Sequence, residues 1–133
     1  MADQHRIVIN GAYGGFCLSD LALQEYNLRA TRQVRSKYMD IERDDPILVQ
    51  VVEELGPRAN GMFAKLRVVS IPAQYTLFYT IQEYDGKESI EIKYDAYKIS
   101  ATKAILRDVA QTKAERIARA LAVLDAPLDP WQE

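Results

Sequence analysis

The residues with the most chemical promise form a short loop, Gly11-Ala12-Tyr13-Gly14-Gly15-Phe16. Three glycines between an apolar strand and a helix start let backbone N–H groups approach an anion, with a helix N-terminus behind them. Tyr13 and Phe16 are the types that stack on a base, as aromatic platforms do. No Gly-Lys-Ser/Thr follows, so the loop is not a P-loop, and its glycine spacing does not fit the dinucleotide fingerprint. The plainer reading of the same residues is a tight turn whose aromatics cap the core.

A second candidate is Arg58-Ala59-Asn60-Gly61, followed by Lys65 and Arg67. These three cations stand without an acid between Pro57 and Pro72, a patch able to hold one or two phosphates but not a polymer. The alternative is a solvated strand face after an ordinary Asn-Gly turn. Asp40, Glu42, Asp44 and Asp45 have the density to bind a divalent ion or to act as acid and base. Pro46, however, marks the last two as helix-capping residues. Glu83 and Glu88 oppose each other across a hairpin, which is unfavourable unless they reach water or share an amine, an arginine or a second subunit. Tyr75, Tyr79, Tyr84, Tyr94 and Tyr97 crowd one region and read as core or interface. His5 lies in a terminus expected to fray, and Cys17 has no base beside it.

The elements that must position these groups follow from pattern. Arg6–Asn10 is an apolar strand run stopped by glycines. Ser19 is an N-cap with Asp20 in the first turn, opening a helix near 19–33. Asp45-Pro46 opens a helix over 46–55, with an apolar stripe of Ile47, Leu48, Val51, Val52 and Leu55, closed by Gly56-Pro57. The period then changes to two, giving strands near 63–71, 75–83 and 88–94. Asp85-Gly86 predicts a type I′ hairpin turn. That register pairs Tyr84 with Lys87, Ile81 with Ile90, Tyr79 with Ile92 and Leu77 with Tyr94. Residues 100–124 lack Gly and Pro and predict one long C-terminal helix capped by Ser100, with 125–133 an extended arm ending near Trp131. The fold class is α+β: one small antiparallel sheet packed by helices, in a single domain over 1–133.

Composition bounds the rest. At 133 residues and 48% apolar the chain is one domain's worth, able to bury roughly 68–70% of its unfolded surface. Seventeen Lys and Arg against nineteen Asp and Glu argue against a long nucleic-acid partner. A single Cys and a single His exclude an internal disulfide, a Cys/His metal cage built by one chain and a spare His for a Ser-His-Asp triad. No signal segment and no run of about 18 apolar residues is present. The expectation is a cytoplasmic protein with no cofactor and no membrane partner.

Four segments together resemble a family of small proteins of tailed bacteriophages and large DNA viruses. They are Tyr13–Ser19 (YGGFCLS), Asp44–Gly56 (DDPILVQVVEELG), Ala59–Pro72 (ANGMFAKLRVVSIP) and Glu83–Glu88 (EYDGKE). The likeness spans residues 6–92; the helix after Tyr97 departs from the shorter members. In profile the chain is also similar to anti-defence sponges, which oligomerise and sequester cyclic nucleotide signals of bacterial immunity such as the CBASS messengers. What the resemblance implies is a non-enzymatic homo-oligomer that captures a small cyclic dinucleotide-like ligand. Tyr13 and Phe16 would wall the base. Gly14 and Gly15, with Arg58 and Lys65, would hold phosphates, and Asn60 would read a base edge or ribose. Two other classes stay open: a viral module that binds a host protein through its Tyr-rich sheet, and a metal-dependent nucleotide hydrolase using the Asp40–Asp45 cluster.

Overall fold

The computed structural model describes residues 4–37, 41–127 and 131. Its elements are β1 (Gln4–Asn10), α1 (Asp20–Arg29), α2 (Pro46–Leu55), β2 (Leu66–Pro72), β3 (Tyr79–Tyr84), β4 (Lys87–Ile92), α3 (Tyr94–Leu106) and α4 (Lys113–Asp125). The α+β class holds. The strands, however, form two two-stranded antiparallel sheets, β1–β2 and β3–β4, where a single sheet was expected.

The continuous apolar run of β1 explains the layering. Alternate residues of a strand face opposite sides, and both sides of β1 are covered. Val8 joins the cluster built by Leu18, Ala22 and Tyr26 with Leu48, Val51 and Val52 of α2. Ile7 and Ile9 join Val69, Ile71, Tyr75, Ile90 and Ile92 on the other side. β1–β2 is therefore the middle layer, with helices on one face and the β3–β4 hairpin on the other. Each fully buried aliphatic side chain contributes roughly 1.5–3 kcal/mol relative to exposure. The hairpin crosses the face, not the edge, because Pro72 ends β2 and a 3₁₀ turn over Ala73–Tyr75 drives the Tyr75 ring inward. There Tyr75 meets Tyr94 and Tyr97 edge-on, at centroid separations of 5.4 and 5.0 Å.

Local punctuation behaves as its chemistry requires. Ser19 Oγ accepts the Ala22 N–H at 3.1 Å, and Asp45 Oδ1 accepts the Ile47 N–H at 2.8 Å ahead of Pro46. The hairpin register is Tyr84–Lys87, Glu83–Glu88, Ile81–Ile90 and Tyr79–Ile92, and Asp85 and Gly86 both take positive φ, as a type I′ turn needs.

Five boundaries differ from expectation. β4 ends at Ile92, not 94, because Tyr94 already opens α3. α1 stops at Arg29 instead of running toward residue 33, because the Asn27 amide turns back to bond both the N–H and the carbonyl of Val34. β2 begins at Leu66, not 63, because the Gly61–Ala64 turn occupies the intervening residues. β3 begins at Tyr79, not 75. Leu77 is exposed and makes no pair with Tyr94, and the last rung is the Lys93 N–H on the Phe78 carbonyl at 2.6 Å. The C-terminal helix is two helices. Ser100 lies inside α3, Asp108 Oδ1 accepts the Ala110 N–H in the connection, and Thr112 Oγ1 caps α4 through the Glu115 N–H at 3.1 Å. Of the expected arm, Trp131 is described; it is seated on its own chain, its Nε1–H donating to the Ser70 carbonyl at 2.9 Å. Asp40 and the remainder of the arm beyond Pro127 lie outside the described residues.

Candidate functional site

The glycine loop and the basic segment, distant in sequence, run antiparallel side by side. At one end Ser19 Oγ donates to the Arg58 carbonyl and the Ser19 N–H to the Ala59 carbonyl. Leu18 bridges Asn60, and the Gly61 N–H donates to the Cys17 carbonyl at 2.8 Å. At the other end the Gly11 N–H donates to the Lys65 carbonyl at 2.7 Å. Arg58 and Lys65 stand at opposite ends of this zipper, both exposed. The two Asn-Gly and glycine-loop candidates thus belong to one surface.

Asn10 locks that surface from beneath. Its side chain is fully buried, and both amide donors and the carbonyl oxygen are engaged. Nδ2 donates to the Ala12 and Gly86 carbonyls at 2.7 and 2.8 Å; Oδ1 accepts the Lys65 N–H at 2.9 Å. Three loops meet here: residues 11–16, 61–65 and the Tyr84–Lys87 turn. The Asn10 N–H donates to Glu88, whose carboxylate takes the Arg43 guanidinium bidentately. Arg43 in turn lies 3.6 Å over the Phe16 ring.

This geometry assigns positions to the seven residues singled out above. Tyr13 is 58% exposed, with Lys87 Nζ 5.6 Å over its ring. Phe16 gives one ring face to Arg43, so it has less free surface than Tyr13. The Gly14 N–H donates to the Asp85 carbonyl at 3.2 Å, and Gly15 lies close under Gly86, so the hairpin turn occupies ground expected to be open to an anion. Asn60 Oδ1 accepts the Leu66 N–H at 2.8 Å. Two residues not singled out complete the surface. Phe63 is 75% exposed beside Gly14 and holds a φ of +64°, rare for a bulky residue. Lys87 arrives through the hairpin turn. Only Lys87 had a usable signal, the Asp-Gly register that fixes its place.

The acidic residues are bound into the fold. Asp45 caps α2 and accepts the Tyr26 hydroxyl at 2.6 Å. Burial, then that bond, pushes the Tyr26 hydroxyl up to about 12. Asp44 accepts from His5 Nε2 at 3.0 Å. Burial first, and then the Asp44 charge and hydrogen bond, push Tyr79 up to about 12 as well. His5 is thus held within β1, not frayed. It borders a groove of about 540 Å³ with Gln4, Arg6, Asp44, Gln50 and Glu53. None of the seven residues lines that groove. Among the described residues no cluster of three or more His, Cys, Asp or Glu is arranged to hold a metal ion, and no helix is long and apolar enough to cross a membrane.

The fold and site define an α+β protein with a loop-built surface of exposed aromatics and cations. Comparison with family models, with curated proteins and with solved structures finds no match.

Proposed function

We propose that the protein captures a small phosphate-bearing nucleotide, of the cyclic di- or oligonucleotide kind, without cleaving it, and that it does so as a viral anti-defence protein in the host cytoplasm. The observation that carries the reading is the exposed Tyr13 ring with Lys87 over it, in a loop that Phe63 meets at Gly14 and the Lys65 backbone meets at Gly11. Base stacking on an exposed aromatic contributes about 1–3 kcal/mol, and nearby cations add phosphate attraction. The setting in viral defence evasion rests on the resemblance of the four segments, Tyr13–Ser19 to Glu83–Glu88.

Titrating cyclic dinucleotides into the protein by calorimetry tests the reading. Saturable binding is expected, with intact ligand recovered on denaturation and affinity falling at least tenfold in Tyr13→Ala and Lys65→Ala. Absence of binding by every cyclic di- and oligonucleotide overturns it. Ligand returned hydrolysed, with chelator stopping the loss, replaces capture with metal-dependent hydrolysis.

A second reading, a module that docks on a host protein, draws on Met62 and Phe63, both largely exposed, with Phe63 beside Gly14. The Tyr-rich region itself offers less for docking, because Tyr75, Tyr94 and Tyr97 pack together inward.

A further inference from the structure

We propose that the α3–α4 hairpin is a homodimerisation element whose exposed apolar face pairs with the same face of a second copy to form a four-helix bundle. This inference stands apart from the nucleotide reading and does not depend on it.

The two helices are antiparallel. Lys98 Nζ, early in α3, donates to the Leu124 and Ala126 carbonyls at the end of α4. Arg116, early in α4, donates to the Leu106 carbonyl at the end of α3. Their main contacts are with each other, and they bury little in doing so. α3 has no buried residue, and α4 has only Ala120. Helices of this length owe their stability to a packed apolar face, not to propensity. Here that face is open. Ile99 and Leu106 on α3 and Ile117, Leu121 and Leu124 on α4 are all between 43% and 54% exposed.

The spacing places these side chains together. On α4 the less exposed residues Arg116, Ala120 and Val123 turn toward α3. Ile117, Leu121 and Leu124 follow one position later, at i, i+4 and i+7, about 100° around the axis at 100° per residue. On α3, Ile99 and Leu106 stand about 100° around from Lys98 and Ile105 in the row Tyr94, Lys98, Ala101 and Ile105, in the same sense. Equal rotations in antiparallel helices bring both stripes to one side of the hairpin.

The occupant is a second copy for three reasons. Each helix has 13 residues, about 20 Å at 1.5 Å per residue. Two of them 8–10 Å apart present a face of some 20 by 20 Å. That projects to about 400 Å² and exceeds it in accessible surface once side-chain relief is added, which puts it toward the small end of specific interfaces, below the roughly 800 Å² per partner of a standard one. The charge excludes the main competitors. Residues 94–125 carry six basic and four acidic side chains, too balanced for a membrane surface or a nucleic acid. Finally, a two-helix layer is completed by a matching two-helix layer, and the same hairpin supplies one of equal length through a twofold axis.

Sedimentation equilibrium of the full chain at about 100 μM tests this. The expected mass is twice the chain's 15.1 kDa. Leu121→Lys should return it to the monomer value with the far-ultraviolet spectrum retained, and Val109→Lys, in the connection, should leave the dimer unchanged. Should Leu121→Lys fail to fold, Leu124→Lys in the last turn of α4 gives the same reading. Hydrogen exchange of the wild-type protein provides an independent measure: the amides of 113–125 should exchange more slowly as concentration rises. A monomeric wild-type protein, or a dimer indifferent to lysine at both positions, overturns the proposal.

Discussion

Glu88 receives both arms of the Arg43 guanidinium, at 2.6 and 2.9 Å, although the two residues are 45 positions apart. The contact resolves the repulsion between opposed Glu83 and Glu88. Glu83 stays at the surface and accepts the Gly86 N–H, while Glu88 turns inward to Arg43 and the Asn10 N–H. Glu88 is buried while Arg43 keeps part of its surface, so removing Glu88 leaves the arginine charge poorly compensated, a loss of about 2–4 kcal/mol, below the roughly 3–5 of a fully buried pair. Glu88→Ala should lower unfolding stability by that amount in urea titration. Glu83→Ala, which loses only an exposed bond, should cost less than about 1 kcal/mol.

What could be read from the sequence, and what could not, divides by range. Ser19, Asp45-Pro46, Gly56 and Asp85-Gly86 act within a few residues, so their chemistry sufficed to place caps and register. The site surface was half legible. Tyr13 is exposed and does not cap the core, and Lys65 is exposed too, yet Lys87 and Phe63 reach Tyr13 and Gly14 only through long-range folding. Asn10, a lone polar residue ending an apolar strand, carried no sign that it would tie three loops. The break between α3 and α4 was written locally in Asp108 and in Thr112 with Glu115 three residues on. A run rich in Ala, Leu and Lys, free of Gly and Pro, obscured it.

That break gives a second prediction. Thr112 Oγ1 satisfies the Glu115 N–H at the start of α4, and loss of such a cap costs about 1 kcal/mol. Thr112→Ala should lower stability by that amount, and Thr112→Ser should restore most of it.

The meeting of the glycine loop with the hairpin turn gives a third. Gly86 has a φ of +89°, and a Cβ there would come within 2.6 Å of the Gly14 nitrogen and closer still to Gly15. Backbone lines both sides, so neither can yield cheaply. Gly86→Ala should destabilise by about 1–3 kcal/mol and disturb the Tyr13 surface. A loss of less than about 0.5 kcal/mol in chemical denaturation, the scatter of ordinary surface changes, would contradict this packing.

Alkaline pH gives a fourth. Tyr26 and Tyr79 are pushed from 10.0 to about 12 in the folded chain. Between those values the unfolded chain releases the two hydroxyl protons while the folded chain keeps them. Stability from these groups is therefore full below pH 10 and falls as pH rises toward 12. Denaturant midpoints measured across that range should drop, and less steeply in Tyr26→Phe and Tyr79→Phe. Ultraviolet titration should show two hydroxyls ionising late. Ionisation of all eight tyrosines near 10 would refute the assignment.

Phe63 gives the last, because its side chain and backbone pull in opposite directions. A φ of +64° costs a bulky residue about 1–2 kcal/mol, and at 75% exposure its ring recovers little by burial within the chain. Asparagine tolerates that conformation far better. Phe63→Asn should therefore raise the urea midpoint, by about 0.5–1 kcal/mol of stability. If the ring is kept for contact with a ligand beside Tyr13, the same substitution should weaken cyclic dinucleotide binding in calorimetry. A variant both more stable and weaker in binding would show that the strain at this loop is tied to recognition. One that loses stability would show instead that the ring contributes to packing over Gly14.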